Sequence, residues 1–189
     1  MKNALLISMV LLLSTCKKKD ERPNYFWGEA TATLNGQSWE TPGWEVKIAS
    51  GDKSSTGTPC NLQSIDIGIH KFNPQNYLRE KIAVVKVPPQ LGTYPVNASR
   101  ICEGDSTVGG GYTTFAADGD VIKDIYKVLE TEDNTITVSA YNPSSKEISG
   151  SFRIAFVFDP KQDSRKDDPL APDTIRFTNG QFRSKVIPR

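Results

Sequence analysis

One histidine, three cysteines and two methionines are all that this 189-residue chain holds of those types. With His70 as the single imidazole, a zinc site of two cysteines and two histidines is excluded, and Cys60 and Cys102 cannot make a four-thiolate site. A serine or cysteine mechanism resting on a histidine base would have to run through His70, and no Gly-x-Ser-x-Gly elbow accompanies it. Neither sign of charge is in excess, with 23 Lys+Arg against 22 Asp+Glu. No global field therefore draws the chain to nucleic acid. No apolar run reaches the roughly 20 residues of a membrane-spanning helix. No internal repeat of solenoid or propeller length is visible. The hydrophobic fraction is a modest 37%, but three Trp, six Tyr and eight Phe offset it. That balance belongs to a folded module, not to a disordered chain.

What is present begins at the N-terminus. Lys2 precedes the uncharged, Leu-rich run Ala4 to Leu13, and Leu13-Ser14-Thr15-Cys16 ends it before the polar Lys17-Lys18-Lys19-Asp20-Glu21. The pattern is that of a secretion signal. The tetrapeptide resembles a bacterial lipobox, with cleavage before Cys16 and lipid on its thiol. The expected organisation is a signal peptide over 1–15, a lipidated tether over 16–24 and one domain over 25–189. Lys17 to Lys19 attract anionic lipid weakly or simply solvate the tether. Cys60 and Cys102 remain as an even pair in an exported chain, which predicts a disulfide worth roughly 4 kcal/mol in the chain-entropy model. Two free thiols are the other reading.

From Tyr25 onward, apolar residues recur with period two. Ala30, Ala32 and Leu34 lead to Asn35-Gly36, a hairpin signal because both residues tolerate positive φ. Trp44, Val46 and Ile48 alternate, as do Ile65, Ile67 and Ile69. Asn73-Pro74 suits the cap and first position of a short helical turn running to Glu80. Ile82 to Val87 reads as a central strand ended by Pro88-Pro89. Gly111 to Ala117, Val121 to Glu130 and Asn134 to Tyr141 follow as strands, with Ile136, Val138 and Ala140 on one face of the last. Glu147 to Phe158 is the clearest strand, placing Ile148, Gly150, Phe152, Ile154, Phe156 and Phe158 on one face. Asp159 to Asp173 is a long charged loop of the functional or mobile kind. Asn179-Gly180 divides Thr174 to Val186 into a second strand–turn–strand unit. The fold class expected is all-β, an antiparallel β-sandwich of hairpins, with a closed or partly open β-barrel as the alternative.

Several of these segments, in order, resemble small β-rich lipoproteins common in the Bacteroidetes. They are Ala32-Thr33-Leu34-Asn35-Gly36-Gln37-Ser38-Trp39, Asn76-Tyr77-Leu78-Arg79-Glu80, Leu91-Gly92-Thr93-Tyr94, Asp118-Gly119-Asp120-Val121 with Tyr126-Lys127-Val128, Ile148-Ser149-Gly150-Ser151-Phe152, and Phe177-Thr178-Asn179-Gly180-Gln181-Phe182. The resemblance spans about Tyr25 to Val186 and brings no catalytic residues with it. It implies an outer-membrane lipoprotein, and Lys19-Asp20-Glu21 resembles the acidic tag that sends such proteins to the cell surface.

Candidate chemistry is sparse. His70 has the opposite parity to Ile65, Ile67 and Ile69, which puts it on a solvent-facing or edge position. Glu29, Glu40, Glu45, Asp66, Glu80 and Asp124 lie in or beside strands, and a glycosidase needs two carboxylates at the right separation, but nothing in the spacing selects a pair. Half-polar antiparallel sheets place such residues in solvent by default. Asp118-Gly119-Asp120 with Asp124 has calcium-type oxygen ligands without EF-hand spacing, and Asp-Gly is equally a turn. Gly109-Gly110-Gly111 lacks the Lys-Ser/Thr of a phosphate loop. It reads as a flexible lead into the following strand. No catalytic residue, metal ligand or cofactor is assigned. Tyr25, Trp27 and Trp44 are the candidate ligand-binding aromatics, and Trp39 a core anchor. Ser106 and Thr174 lie in short Asp-Ser/Thr sites of the kind Bacteroidetes use for O-glycosylation. Asn97-Ala98-Ser99 fits the N-glycosylation pattern and is set aside for a bacterial lipoprotein.

The expected function is that of a surface-anchored lipoprotein with a non-enzymatic binding or structural role. Its expected partners are the membrane, through the lipid, and a glycan or protein ligand. Two alternatives stay open: an inhibitor or envelope-assembly component acting through loop 159–173, and a carboxylate-dependent hydrolase acting on glycans.

Overall fold

The computed structural model describes residues 28–39, 44–50, 64–98, 107–162 and 166–187, with backbone alone for 44–50 and 187. The described residues form eleven strands and no helix: β1 (Glu29–Leu34), β2 (Gln37–Trp39), β3 (Trp44–Ser50), β4 (Ile65–Phe72), β5 (Leu78–Val87), β6 (Gly92–Pro95), β7 (Gly109–Phe115), β8 (Ile122–Val128), β9 (Thr135–Tyr141), β10 (Glu147–Phe158) and β11 (Thr174–Ile187). The all-β expectation is met.

The strands form two facing layers. One layer runs β2-β1-β11-β10-β9-β6, with antiparallel pairing throughout. The other is the antiparallel meander β3-β4-β5-β7-β8. Two narrow joints link them. β8 meets β10 over three residue pairs, Phe156↔Val128 to Phe158↔Tyr126. β11 meets β3 over two parallel pairs, Val186↔Ile48 and Ile187↔Ala49. Joints this short leave one curled sheet in a sandwich-like arrangement and not a closed barrel.

The core is the space between the layers. Alternation puts Ile65, Ile67 and Ile69 of β4 and Ile82 and Val84 of β5 inward, all buried. Ile148, Phe152, Ile154 and Phe156 of β10 face them, also buried. Aromatic rings span the gap. Tyr112 of β7 lies 5.4 Å from Phe177 of β11 and 5.8 Å from Phe156 of β10, centroid to centroid. Within its own layer, Trp39 of β2 meets Phe177 edge-on at 4.5 Å. Such pairs add to the burial energy of large rings.

Asn35 and Gly36 turn β1 into β2 with φ of 46° and 83°, as the hairpin signal requires. Asn35 also ties the turn down, its backbone N–H donating to Arg176 O and its Oδ1 accepting the Arg176 N–H, both at 2.9 Å.

Four local expectations are corrected. Asn179-Gly180 does not turn the chain: β11 is continuous, and Asn179, at φ 52°, marks a bulge where the register shifts against both β10 and β1. A long strand wins because β10 and β1 offer partners on both edges. Asn73-Pro74 opens no helical turn. Asn73 Oδ1 accepts the N–H groups of Gln75 and Tyr77 at 3.1 and 2.8 Å, closing a side-chain-capped loop before β5. Ala140 is exposed and leaves the face of Ile136 and Val138, because the β9–β10 register shifts between Ser149 and Gly150. Gly109-Gly110-Gly111 is likewise no flexible lead. It is ladder-paired strand, and a Cβ on Gly110 would lie 2.8 Å from Val96 Cγ1.

Candidate functional site at the loop pole

Strand direction gathers three connections at one end of the sandwich: the β4–β5 turn (72–78), the β7–β8 turn (115–122) and loop 159–173 between β10 and β11. Beneath them the inward face changes from apolar to polar. On β5, Glu80 continues the inward parity of Ile82 and Val84. On β8, Asp124 continues that of Tyr126 and Val128. The ladder sets Glu80 between Lys71 of β4 and Thr114 of β7.

Glu80 gathers donors from three strands. Its Oε2 accepts Trp39 Nε1–H at 3.1 Å and the Tyr112 hydroxyl at 2.9 Å, and its Oε1 accepts Lys71 Nζ at 2.6 Å. Lys71 also lies 5.8 Å from the Trp39 ring centroid. Because Trp39 belongs to the opposite layer, this carboxylate bridges the sandwich.

Asp124 is almost wholly buried, at 2% exposure. Its own N–H donates to Thr114 Oγ1 at 3.0 Å. Its Oδ1 accepts the backbone N–H of Asp167 at 2.9 Å, which pins loop 159–173 to β8. Further bonds fix the loop. Asp159 N–H donates to Ile125 O at 2.9 Å, and the Tyr126 hydroxyl donates to Pro172 O at 3.3 Å. Lys166 donates to Ala171 O at 2.7 Å and pairs with Asp173. The described part of the loop is therefore a structured cap.

Burial, then the neighbouring Glu80 carboxylate, pushes the Tyr112 hydroxyl well above its ordinary pKa. Tyr126 is pushed up to about 12, by burial first and then by Asp124, Asp173 and Asp168. Both hydroxyls stay protonated donors at neutral pH.

Away from this pole, Arg183 on β11 lies between two open depressions. One, of about 210 Å³, is lined by Glu29, Thr31, Gln181 and Arg183. The other, of about 460 Å³, is lined by Tyr141, Asn142, Glu147, Ser149 and Arg183. Tyr141 packs partly against the core, so only part of it is offered to a ligand.

Of the residues singled out from the sequence, Cys16, Tyr25, Trp27, Cys60, Cys102 and Ser106 lie outside the described residues, as do Glu40 and the side chains of Trp44 and Glu45. Trp39 is the buried anchor expected, at 4% exposure. Thr174 opens β11, half-buried and paired with Val157. His70 is half-buried on β4, opposite Glu45 and Lys81. Asp118 and Asp120 form the β7–β8 turn, Asp118 Oδ1 accepting the Asp120 N–H at 3.2 Å with Gly119 at φ 80°. Among the described residues no three His, Cys, Asp or Glu side chains converge as a metal site. Solvent-facing alternation fails for Glu80 and Asp124. Their parity with Ile82 and Tyr126 was the signal that could have found them.

No family model, no curated protein and no solved structure matches the chain.

Proposed function

We propose that this chain is a lipid-anchored outer-membrane protein, displayed on the cell surface, whose sandwich is a non-enzymatic binding module. One observation carries the reading. The chain enters the sandwich at Gly28, beside Arg183 and Ser184 near the far end of β11, whereas loop 159–173, one of the three connections of the pole, runs into Thr174 at the other end of that strand. At 3.2–3.4 Å per residue the two ends of that strand segment lie roughly 30 Å apart. A tether from Cys16 therefore holds the base of the module and leaves the loop pole pointing outward.

The likeness to small Bacteroidetes lipoproteins agrees with this reading, as does the Leu13 to Cys16 tetrapeptide. The inward carboxylates suit it too, since Glu80 and Asp124 spend their oxygens on strand and loop hydrogen bonds. The described parts of the cap, 159–162 and 166–173, are pinned to β8 and offer a preformed surface to a protein ligand. We include in the same proposal a bond between Cys60 and Cys102 in the exported protein and treat Ser106 and Thr174 as candidate O-glycan acceptors. Intact-mass analysis reads both.

The decisive experiment is Cys16→Ser. The variant is expected in the soluble fraction, while the parent chain stays with membranes and is digested by protease added to intact cells. A variant that still partitions wholly with membranes overturns the anchor. Digestion of the parent only after lysis overturns surface display.

A further inference from the structure

Among the described residues five large apolar side chains stand exposed: Tyr77, Leu91, Val121, Ile122 and Leu170. Single exposed apolar residues are ordinary, whereas several on touching elements make a patch. Leu91 lies at the tether end, between β5 and β6. The other four belong to the three connections of the loop pole. These connections touch. A Cβ on Gly119 would come 2.7 Å from Leu78 N and 3.2 Å from Tyr77 Cβ. Arg79 donates to Ala116 O across the same contact. Asp124, two residues from Ile122, holds Asp167, three residues from Leu170.

The tips are held in place before any partner arrives. Tyr77 is fixed by its N–H bond to Asn73 Oδ1, and Leu170 by its N–H bond to Asp168 Oδ1 at 2.9 Å. Leu170 is nevertheless 92% exposed. An ordered apolar tip loses little conformational entropy on docking. Around these tips stand the exposed carboxylates Asp118, Asp120, Asp167 and Asp168. Anionic membranes attract basic segments and repel acidic ones. Exposed Lys161 lies on the same loop, but the exposed carboxylates outnumber it, so the charge of the rim matches a basic protein surface.

We propose that the pole tipped by Tyr77, Val121, Ile122 and Leu170 docks into an apolar hollow, rimmed by Lys or Arg, on a partner protein. That this pole faces outward rests on the anchoring reading; the docking surface itself does not. The acidic rim steers the approach and the apolar tips supply the contact, so the encounter weakens with salt.

The test places a photo-crosslinking phenylalanine analogue at position 170 of the full chain, in intact cells that make it. The same analogue at position 185, on the tether half of β11, is the control. One discrete protein adduct is expected from position 170 and none of that size from 185. The crosslinked surface of the captured protein should carry Lys or Arg. Asp120→Lys with Asp167→Lys, both exposed and neither side chain holding a tip in place, should cut the adduct at least tenfold, as should about 0.5 M salt. An adduct indifferent to charge reversal overturns the proposal. So do adducts to lipid alone, adducts to a second copy of this chain alone, and no adduct at all. The Cys16→Ser chain tests the anchor separately, so a lost anchor and a lost docking surface give different results.

Discussion

Asp124 of β8 accepts the backbone N–H of Asp167 at 2.9 Å and does so from a site only 2% exposed. The bond fastens the middle of loop 159–173 to the polar end of the core. Hydrogen bonds to charged groups are worth about 1.5–3 kcal/mol, and an orphaned buried partner costs more than a mean bond returns. Asp124→Ala should therefore destabilise the domain by about 2–3 kcal/mol and free the loop. Hydrogen exchange should speed up at Asp167 and its neighbours while β9 and β10 keep their protection. Asp124→Asn keeps an acceptor oxygen and should retain most of the protection. Equal exchange in parent and Asp124→Ala would show that the loop is held by its other bonds.

Phe152 of β10 lies across Gly180 of β11, and Phe182 of β11 lies across Gly150 of β10, in directly paired positions. A Cβ on Gly180 would stand 2.6 Å from the Phe152 ring, and one on Gly150 would stand 1.9 Å from Thr137 O. Gly180→Ala should cost about 1–3 kcal/mol, the usual range for overpacking. Gly150→Ala should cost more, because a backbone carbonyl yields less readily than a ring. Phe152→Ala, which empties the site, should cost ~3–5 kcal/mol. Denaturant melts rank the three, and a neutral Gly150→Ala would contradict the close approach.

How much of this was legible depends on what each residue type signals. The inward face of β10 was plain from Ile148 to Phe158, since an unbroken alternation of large apolar residues has one reading. The hairpin at Asn35-Gly36 was plain for the same reason. The identical pair Asn179-Gly180 signals a turn just as strongly, yet β11 runs straight through it. Local chemistry permits positive φ at either place, and only the partners β1 and β10 decide that the second stays extended. Glu80 and Asp124 were hidden by the rule that carboxylates face water; their alternation with Ile82 and Tyr126 said otherwise. The apolar tips Tyr77 and Leu170 carried no pattern at all. Their meaning appears only when three connections, far apart in sequence, arrive at one pole.

Glu80 offers its own test of the polar end. Trp39 and Tyr112, both buried, donate to the same Oε2, while Lys71 holds Oε1. Glu80→Ala removes the shared acceptor from two buried donors and should cost about 2–4 kcal/mol. For a domain of this size that lowers the melting temperature by roughly 5–12 °C. Glu80→Gln keeps one acceptor and should lose less than half as much. The same drop for both variants would assign the effect to the carboxylate charge and its Lys71 partner instead of to the acceptor.

The two inward tyrosines set the alkaline limit of the fold. An unfolded tyrosine ionises near pH 10. In the folded chain burial, with nearby carboxylates, raises Tyr126 to about 12 and Tyr112 well above 10. A raised folded pKa means that the neutral form is the one the fold keeps. The stabilisation is therefore complete below pH 10 and is lost as pH climbs through the folded values, because the unfolded state gives up those protons first. Stability should be flat from pH 8 to 10 and fall steeply between 10 and 12. Absorbance at 295 nm should show two groups among the six tyrosines. One group ionises near pH 10, and a later one ionises together with the loss of near-ultraviolet dichroism. Glu80→Gln removes the negative charge beside Tyr112 and should move the later group to lower pH. Tyr126→Phe removes one late-ionising group and should soften the fall above pH 10. A single step near pH 10 for all six, with the dichroism intact, would mean that neither hydroxyl sits where burial and the carboxylates oppose its charge.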